Sequence, residues 1–450
     1  MFTPYRAIQI QISALVAYLK KHGNIVDYQE FYIFTGENFE KHKETVREKL
    51  LAFKPNIVGF SSYDMNYEFN ISCAEFIKSV NPNIKTIAGG HSASVAPEHY
   101  LKHESLDFVC KGEGEETLVE LLKALENNST FADIKGLYWK KNNQEVVTNE
   151  ARPLIVDLDS LPFLDRPAVH EQQLKLDYLP MVVGRGCPYK CDYCANETMK
   201  DLAPNQADFT RWRSPESVVM EIKECQKKYD FKTVYFYDDV FCLKLDWLKK
   251  FNELYKASFP DTPYRCLLRP EMANDERRIK MLAESGCYLI DMGVESGSYE
   301  YRRRMLGRNM SNELIENAVS IMDKYNIKMN AFLMTGMPDE SIEDMWKSIK
   351  LLFKLRPVGV QTGIFYPLLG TPSYHWCVEN DMIDWEKRKK MVVYSYDTCL
   401  KVPLHKRLFI IASKWILSGM PHLCRFNFRM LPWFFKIQYR LWVDKRVDYS

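Results

Sequence analysis

Gly184-Arg185-Gly186-Cys187-Pro188-Tyr189-Lys190-Cys191-Asp192-Tyr193-Cys194 sets Cys187, Cys191 and Cys194 in a C-x3-C-x2-C pattern. Three thiolates on one short loop can wrap an iron–sulfur cluster, because Cys is the usual ligand of cluster iron. Three ligands for four irons leave one iron open to bind and activate a small molecule, so the spacing points to catalysis. Other uses of cysteine fit less well. A structural zinc site takes four ligands, commonly on paired C-x2-4-C arms, and no second arm follows Cys194 closely. Disulfide frameworks belong to small secreted domains, whereas the 12 Cys here are scattered through 450 residues. Cys73, Cys110, Cys225, Cys242, Cys266, Cys287, Cys377, Cys399 and Cys424 show no comparable spacing and are read as small core residues.

Around that loop the chain has the composition of an ordinary globular protein, 46% hydrophobic and 27% charged, and a length for two or three domains. Its 61 basic and 59 acidic residues nearly cancel, to +2, so nucleic acid is not an expected partner. Residues 401–450 depart from the average: 10 Lys or Arg against 2 Asp give that tail +8 and leave −6 elsewhere. Met1 to Gln11 offer no apolar core for export. Leu408 to Met420 is the nearest thing to a membrane span, but it is short and interrupted by Lys414. A soluble, cytoplasmic protein is expected.

From Ile8 to Glu126 short β-rich runs alternate with helical patterns, with strands at Asn24–Tyr32, Asn56–Phe60, Ile84–Ala88 and Leu106–Cys110. The alternation predicts a parallel sheet covered on both faces, whose ligands sit at the carboxyl ends of the strands. Two of those ends are small and polar: Gly59-Phe60-Ser61-Ser62 and Gly89-Gly90-His91-Ser92. Glycine there admits a bulky ligand to the backbone, or simply makes a tight turn. Residues 134–148 read as a hairpin, and Asp157 to Arg166, broken by Pro162, as a linker.

Past the linker the alternation lengthens, with strands at Met181–Gly184, Thr233–Tyr237, Tyr264–Leu268, Tyr288–Gly293, Ile327–Met334 and Gly359–Phe365, and amphipathic helices such as Ser214–Tyr229 and Ser311–Tyr325 between them. Six such units make a partial β/α barrel. Barrel chemistry gathers at strand carboxyl ends, and the cysteine loop follows the first strand. Acids recur at that rim, in Tyr237-Asp238-Asp239, Gly293-Val294-Glu295-Ser296-Gly297 and Thr335-Gly336-Met337-Pro338-Asp339-Glu340. Carboxylates accept hydrogen bonds from ammonium and hydroxyl groups. Singly, each acid could equally cap a helix or join a surface ion pair.

Cys187-x3-Cys191-x2-Cys194, with Tyr193 before the last Cys, resembles the signature of radical S-adenosylmethionine (SAM) enzymes, over about residues 181–375. The resemblance implies a 4Fe–4S cluster on the three Cys, whose open iron binds the amino and carboxylate groups of SAM, and reductive cleavage to a 5′-deoxyadenosyl radical. It places Asp238 and Asp239 at the methionyl amino group and Glu295 at the ribose or carboxylate. Arg308 would meet the carboxylate as a bidentate fork, with Gly336 and Glu340 beside the adenine and Tyr193 touching it. The first half resembles the cobalamin-binding domain joined to this barrel in one subfamily, through Pro55–Ser61, Ala88–His91, Lys111–Glu115, the linker Asp157–Pro162 and Gly293–Gly297. That implies cobalamin at the strand ends of Ser61, Ser62, Gly89, Gly90 and His91. The D-x-H-x-x-G motif, whose His ligates cobalt in one class of cobalamin proteins, is absent from residues 1–126. The helix Ser13–Gly23 resembles one that normally follows a strand and loop, so either the sequence is truncated or the first sheet lacks its first strand and ligand-facing loop.

The expected layout is therefore a flavodoxin- or Rossmann-like cobalamin-type domain at 1–133, a hairpin and linker at 134–165, a partial barrel at 166–375 and a basic-aromatic helical extension at 376–450. Methylation of an unactivated carbon is the expected reaction. Cyclisation, rearrangement or oxidation without methyl transfer is the nearest rival, and a non-catalytic iron–sulfur or zinc protein the rival of another class. A small, lipophilic substrate and a flavodoxin- or ferredoxin-type electron donor are the expected partners. Residues 404–443 interleave basic and aromatic side chains, which suits a helical cap that buries its aromatics on the barrel and closes the site. A membrane interface and single-stranded nucleic acid are the other readings of that tail.

Overall fold

The computed structural model describes residues 10–27, 39–141, 145–166, 178–241, 243–391 and 396–425. In the first module the helices α1 (Ile10–Lys21), α2 (Lys43–Phe53), α3 (Tyr67–Val80), α4 (His91–Val95), α5 (Pro97–Leu101) and α6 (Glu115–Glu126) surround the strands β1 (Ile57–Ser61), β2 (Lys85–Gly89) and β3 (Phe108–Cys110). These three strands pair in parallel, and Thr86, Ile87 and Ala88 are buried in succession, as a strand covered on both faces requires. The hairpin β4 (Leu137–Lys141) and β5 (Glu145–Thr148) adds to the same sheet, antiparallel to β3, in the order β1-β2-β3-β4-β5. The hairpin is therefore an edge of the first module and not a separate linker element. Of the strand expected at Asn24–Tyr32, residues 24–27 are not in a strand and the rest lie outside the described residues.

The second module holds β6 (Tyr178–Met181), β7 (Gly184–Arg185), α7 (Ala195–Asp201), β8 (Arg211–Trp212), α8 (Pro215–Gln226), β9 (Thr233–Phe236), α9 (Leu245–Ser258) and β10 (Tyr264–Leu268). It continues through α10 (Pro270–Ala273), α11 (Glu276–Glu284), β11 (Cys287–Glu295), α12 (Tyr299–Met305), α13 (Asn312–Lys324), β12 (Lys328–Thr335), α14 (Ile342–Leu355) and β13 (Gly359–Ile364). Six of these strands form one parallel sheet in the order β13-β12-β11-β10-β9-β6, an open barrel. Along β10, Tyr264, Cys266 and Leu268 are buried under helices while Arg265 and Leu267 line the half-open lumen. The helices begin where side chains cap them. Ser214, Ser311 and Ser341 accept backbone N–H groups at the starts of α8, α13 and α14, and Asp344 completes a capping box on Ser341.

One expected strand is displaced. The sheet uses Tyr178–Met181, whereas Gly184–Arg185 leaves it to pair antiparallel with Arg211–Trp212. That departure turns the chain into the cysteine loop. Behind β6, Arg166 and Arg213 converge on the buried Glu221 of α8 and hold the end of the linker against the barrel.

After β13 come α15 (Pro372–Glu379), α16 (Trp385–Lys390) and α17 (Leu404–Arg425). α17 lies against β13, the last strand of the sheet, more closely than the other barrel helices approach their strands. The expected cap that buries its aromatics is only partly realised, because Trp415 of α17 is half exposed. The tail beyond residue 425 lies outside the described residues.

Candidate active site

The cysteine loop is fixed at both ends. Gly186 has φ +79°, and a Cβ there would stand 2.2 Å from the Phe209 carbonyl oxygen, so only glycine makes this turn. Farther along, the Asp192 N–H donates to the Leu306 carbonyl at 3.2 Å, and the Asp192 carbonyl accepts the Ser373 N–H at 2.9 Å. Cys194 then stands at the N-cap of α7. Each of the three thiols lies within electrostatic reach of the others. Burial pushes the Cys187 thiol up to about 11 and the Cys194 thiol up to about 12, with the charge of Asp239 adding to both. Thiols that resist ionisation in this pocket need a cation to become thiolates, which bound iron provides.

Among the described residues no three His, Cys, Asp or Glu side chains converge tightly enough to hold a single metal ion. Three Cys on one loop, with no fourth ligand arm following Cys194 closely, is a donor set that suits a cluster with one open iron better than a closed tetrahedral zinc site.

Around the loop the rim residues fall into two groups. Glu295, with φ +66° at a bulge of β11, pairs with the buried Arg308 at 2.8 Å. Arg308 also donates to the Tyr193 hydroxyl at 3.1 Å and the Gly293 carbonyl at 2.8 Å. Glu295, Arg308 and Tyr193 thus form one connected unit beside the cysteines. Asp238 and Glu340 face backbone. Asp238 accepts the N–H groups of Val183 and Gly184 at 2.9 and 2.6 Å, and Glu340 those of Gly336 and Met337 at 2.8 and 3.2 Å. Burial raises Asp238 to about 7 and Glu340 to about 8, against those backbone donors. In each, the second carboxylate oxygen is buried without a partner, an acceptor in position for a ligand's ammonium or hydroxyl group. Asp239 is exposed, yet the surrounding protein raises its carboxyl against a hydrogen bond from Asn196.

Three functional positions were not singled out from the sequence. Arg269, just past β10, donates to the Cys191 sulfur at 3.1 Å and stacks 3.9 Å from the centre of the Tyr189 ring. Its position at the third barrel strand end was the available signal. Burial raises the pKa of the Tyr63 hydroxyl, in the turn after β1, and the Asp239 charge adds to it. Asp64 accepts the Leu369 N–H at 2.6 Å and Arg388 at 3.0 Å, joining the modules.

At the strand ends of the first module, Asn70 donates to the Ser62 hydroxyl at 3.0 Å, and the Ser62 N–H donates to the Gly89 carbonyl at 2.7 Å. Ser61 offers its backbone carbonyl to Asn66 at 2.9 Å. Gly90, with φ +102°, passes so near Ser62 that a Cβ would lie 2.8 Å from its carbonyl oxygen. His91 is buried with both ring nitrogens unpartnered, and burial lowers its pKa against the pull of Asp64. Unpartnered buried nitrogens beside a small-residue loop fit a large ligand rich in amide groups, as cobalamin is. Ionic braces hold this face to the barrel: Arg185 pairs with Glu113 and Glu115, and Arg211 with Glu113.

Comparison with known proteins finds two family models matched in succession along the chain. Residues 181–352 match the radical SAM superfamily and residues 3–122 the B12-binding domain. An uncharacterised methyltransferase of Pyrococcus horikoshii is 28% identical over 345 residues, 74% of this chain and 72% of the relative. An anaerobic magnesium-protoporphyrin IX monomethyl ester cyclase of Rubrivivax gelatinosus is 23% identical over 372 residues, 79% of this chain and 64% of the relative. Among solved structures, a radical S-adenosylmethionine methyltransferase of Kitasatospora setae, with cobalamin and a 4Fe–4S cluster bound, superimposes with a TM-score of 0.64 at 17% identity. It covers 83% of this chain and 75% of its own.

Proposed function

Because a B12-binding domain precedes a radical SAM domain, the chain belongs to the cobalamin-type branch of the radical SAM superfamily, and we propose that it methylates an unactivated carbon of a small, lipophilic substrate. Its cofactors are a 4Fe–4S cluster, SAM and cobalamin. Bound here, they supply the one-electron cleavage of SAM to a 5′-deoxyadenosyl radical and the methyl group, chemistry no side chain provides.

The protein's own part is to bind, orient and exclude water. Cys187, Cys191 and Cys194 hold the cluster, and Arg269 donates to one of its sulfurs, a contact that tunes such a centre. The unpartnered oxygen of Asp238, with Asp239, receives the ammonium group of SAM, and Glu340 stands with Gly336 beside the adenine. Arg308, held by Glu295, presents its guanidinium to the carboxylate beside Tyr193. Ser61, Ser62, Gly89, Gly90 and His91 face cobalamin. Leu267, Phe332 and Met334 alternate with buried positions on β10 and β12 and, beside Arg265 and Asn330 on the same faces, supply the apolar part of the lumen for a lipophilic substrate. A flavodoxin- or ferredoxin-type protein is the proposed electron donor.

The observation that carries this reading is the match of residues 3–122 to the B12-binding domain and of residues 181–352, which contain the cysteine loop, to the radical SAM superfamily in one chain. Anaerobic reconstitution with iron, sulfide and methyl-labelled SAM tests it. The expected result is 5′-deoxyadenosine, together with a cobalamin absorbance change on titration; an intact cluster that forms no 5′-deoxyadenosine would overturn the reading. The likeness to a protein named as a cyclase favours one second reading, radical chemistry without methyl transfer. Product carrying no label would select it.

A further inference from the structure

A helix at a protein surface normally turns a polar stripe outward. α17 does the reverse. Its inner side buries Ile410, Ser413, Lys414 and Leu417; Ser413 shares a hydrogen bond with Thr335 at 2.8 Å, and Ile410 fills the space over Gly336. At about 100° per residue, Leu404, Leu408, Ile411, Ala412, Trp415 and Gly419 fall on one stripe roughly 100° wide, without a charged residue among them. It faces solvent: Leu404 is 66% exposed, Leu408 49% and Trp415 50%. Tyr396, also exposed, stacks nearly flat on Trp415 with ring centroids 5.5 Å apart and broadens the apolar face.

Charge decides what covers such a face. Lys401 and, on α16, Lys387 and Lys389 lie near it in sequence, beside the exposed Trp385, and are ion-paired with Asp381, Asp384 and Glu386; residues 381–414 still hold eight Lys or Arg against four acids. Residues 401–450 carry +8 while the rest of the chain carries −6. A second copy of the chain would bring another +8 against this one. The sequence that follows has the same composition: Arg429, Lys436 and Arg440 are interleaved with Trp433, Phe434, Phe435, Tyr439 and Trp442, so it adds to the positive charge and does not neutralise it. No helix among the described residues is long and apolar enough to cross a membrane. A Trp-centred apolar stripe with cations near it matches the interface of an anionic bilayer.

We propose that α17 docks the protein peripherally on an anionic lipid surface, with Leu404, Leu408 and Trp415 entering the headgroup boundary and the cationic excess of residues 381–450 drawing the chain to lipid phosphates. This goes beyond the catalytic reading and needs neither cluster nor SAM. The test is co-sedimentation of the full chain with vesicles of phosphatidylcholine plus phosphatidylglycerol, and of phosphatidylcholine alone. Binding to the mixed vesicles is expected, weakening with added salt. Leu408→Glu and Trp415→Glu are each expected to lower it by about tenfold or more. Ala412→Glu, which removes little apolar area but puts a charge in the stripe, should act in the same direction with the far-UV circular dichroism unchanged. Wild-type protein that binds neither vesicle would overturn the proposal, as would Glu variants that bind as wild type does. A size-exclusion shift from dimer to monomer in Leu408→Glu would also overturn it, by making the stripe a self-interface.

Discussion

Glu340 is fully buried in the turn after β12, with one oxygen held by two backbone N–H groups and the other unpartnered. Burial raises its pKa from 4.5 to about 8, while the nearby Lys406 of α17 is lowered by its own burial. An acid whose native pKa is raised stabilises the fold fully below its unfolded pKa and loses that stability as pH rises through the native value. Between about 4.5 and about 8 the native state holds a proton that the unfolded state has lost. Stability should therefore fall with a slope of up to about 1.4 kcal/mol per pH unit from this residue. Glu340→Gln is expected to flatten that slope, as read by urea denaturation across the window. At this scale the cysteine triad was plain in the sequence, because its three members lie on one loop. The orientation of Asp238 and Glu340 was not, since a strand-end acid looks the same whether it faces a ligand or its own backbone. Arg269 and Tyr63 were illegible for a related reason: their partners, Cys191 and Asp239, are remote in sequence.

At the level of the elements, glycine marks where the backbone has no alternative. Gly186 combines a left-handed φ with a 2.2 Å approach to the Phe209 carbonyl oxygen, whereas a Cβ on Gly363 in β13 would meet no atom within 4 Å. Gly186→Ala should cost about 1–2 kcal/mol for the dihedral alone, and the clash must also displace the cysteine loop. Gly363→Ala should change stability by no more than about 0.5 kcal/mol. Melting temperature and iron bound per chain after reconstitution check both, with low iron expected only for Gly186→Ala. Most elements were readable from the periodicity of buried residues, as in α13 and β12. β6 was displaced by three residues because Met181–Gly184 is as apolar as the true strand, and the turn into the cysteine loop claims its end.

Between the modules, the turn at Asp64–Met65 enters a socket of the second. Met65 packs with Tyr366, Leu368, Met391 and Cys399, and Asp64 meets Arg388, which also lies 4.9 Å from the Tyr366 ring and 5.8 Å from the Trp385 ring. Asp64→Ala should cost about 1.5–3 kcal/mol, and Arg388→Ala a similar amount. Both are expected to separate one calorimetric transition into two, and a double variant should lose less than the sum. Domain order was legible from the alternation of strand and helix. This coupling was not, because Asp64 and Arg388 are far apart along the chain and neither belongs to a motif.

α17 has a second consequence, for solubility. A barrel that stops after six strands leaves the last of them with a row of backbone donors and acceptors that no strand among the described residues pairs with, and such a rim recruits strands from other molecules. By lying along β13, the extension screens that rim. A chain shortened before Leu404 would keep its cysteines and its glycine loops and yet be prone to stack edge to edge.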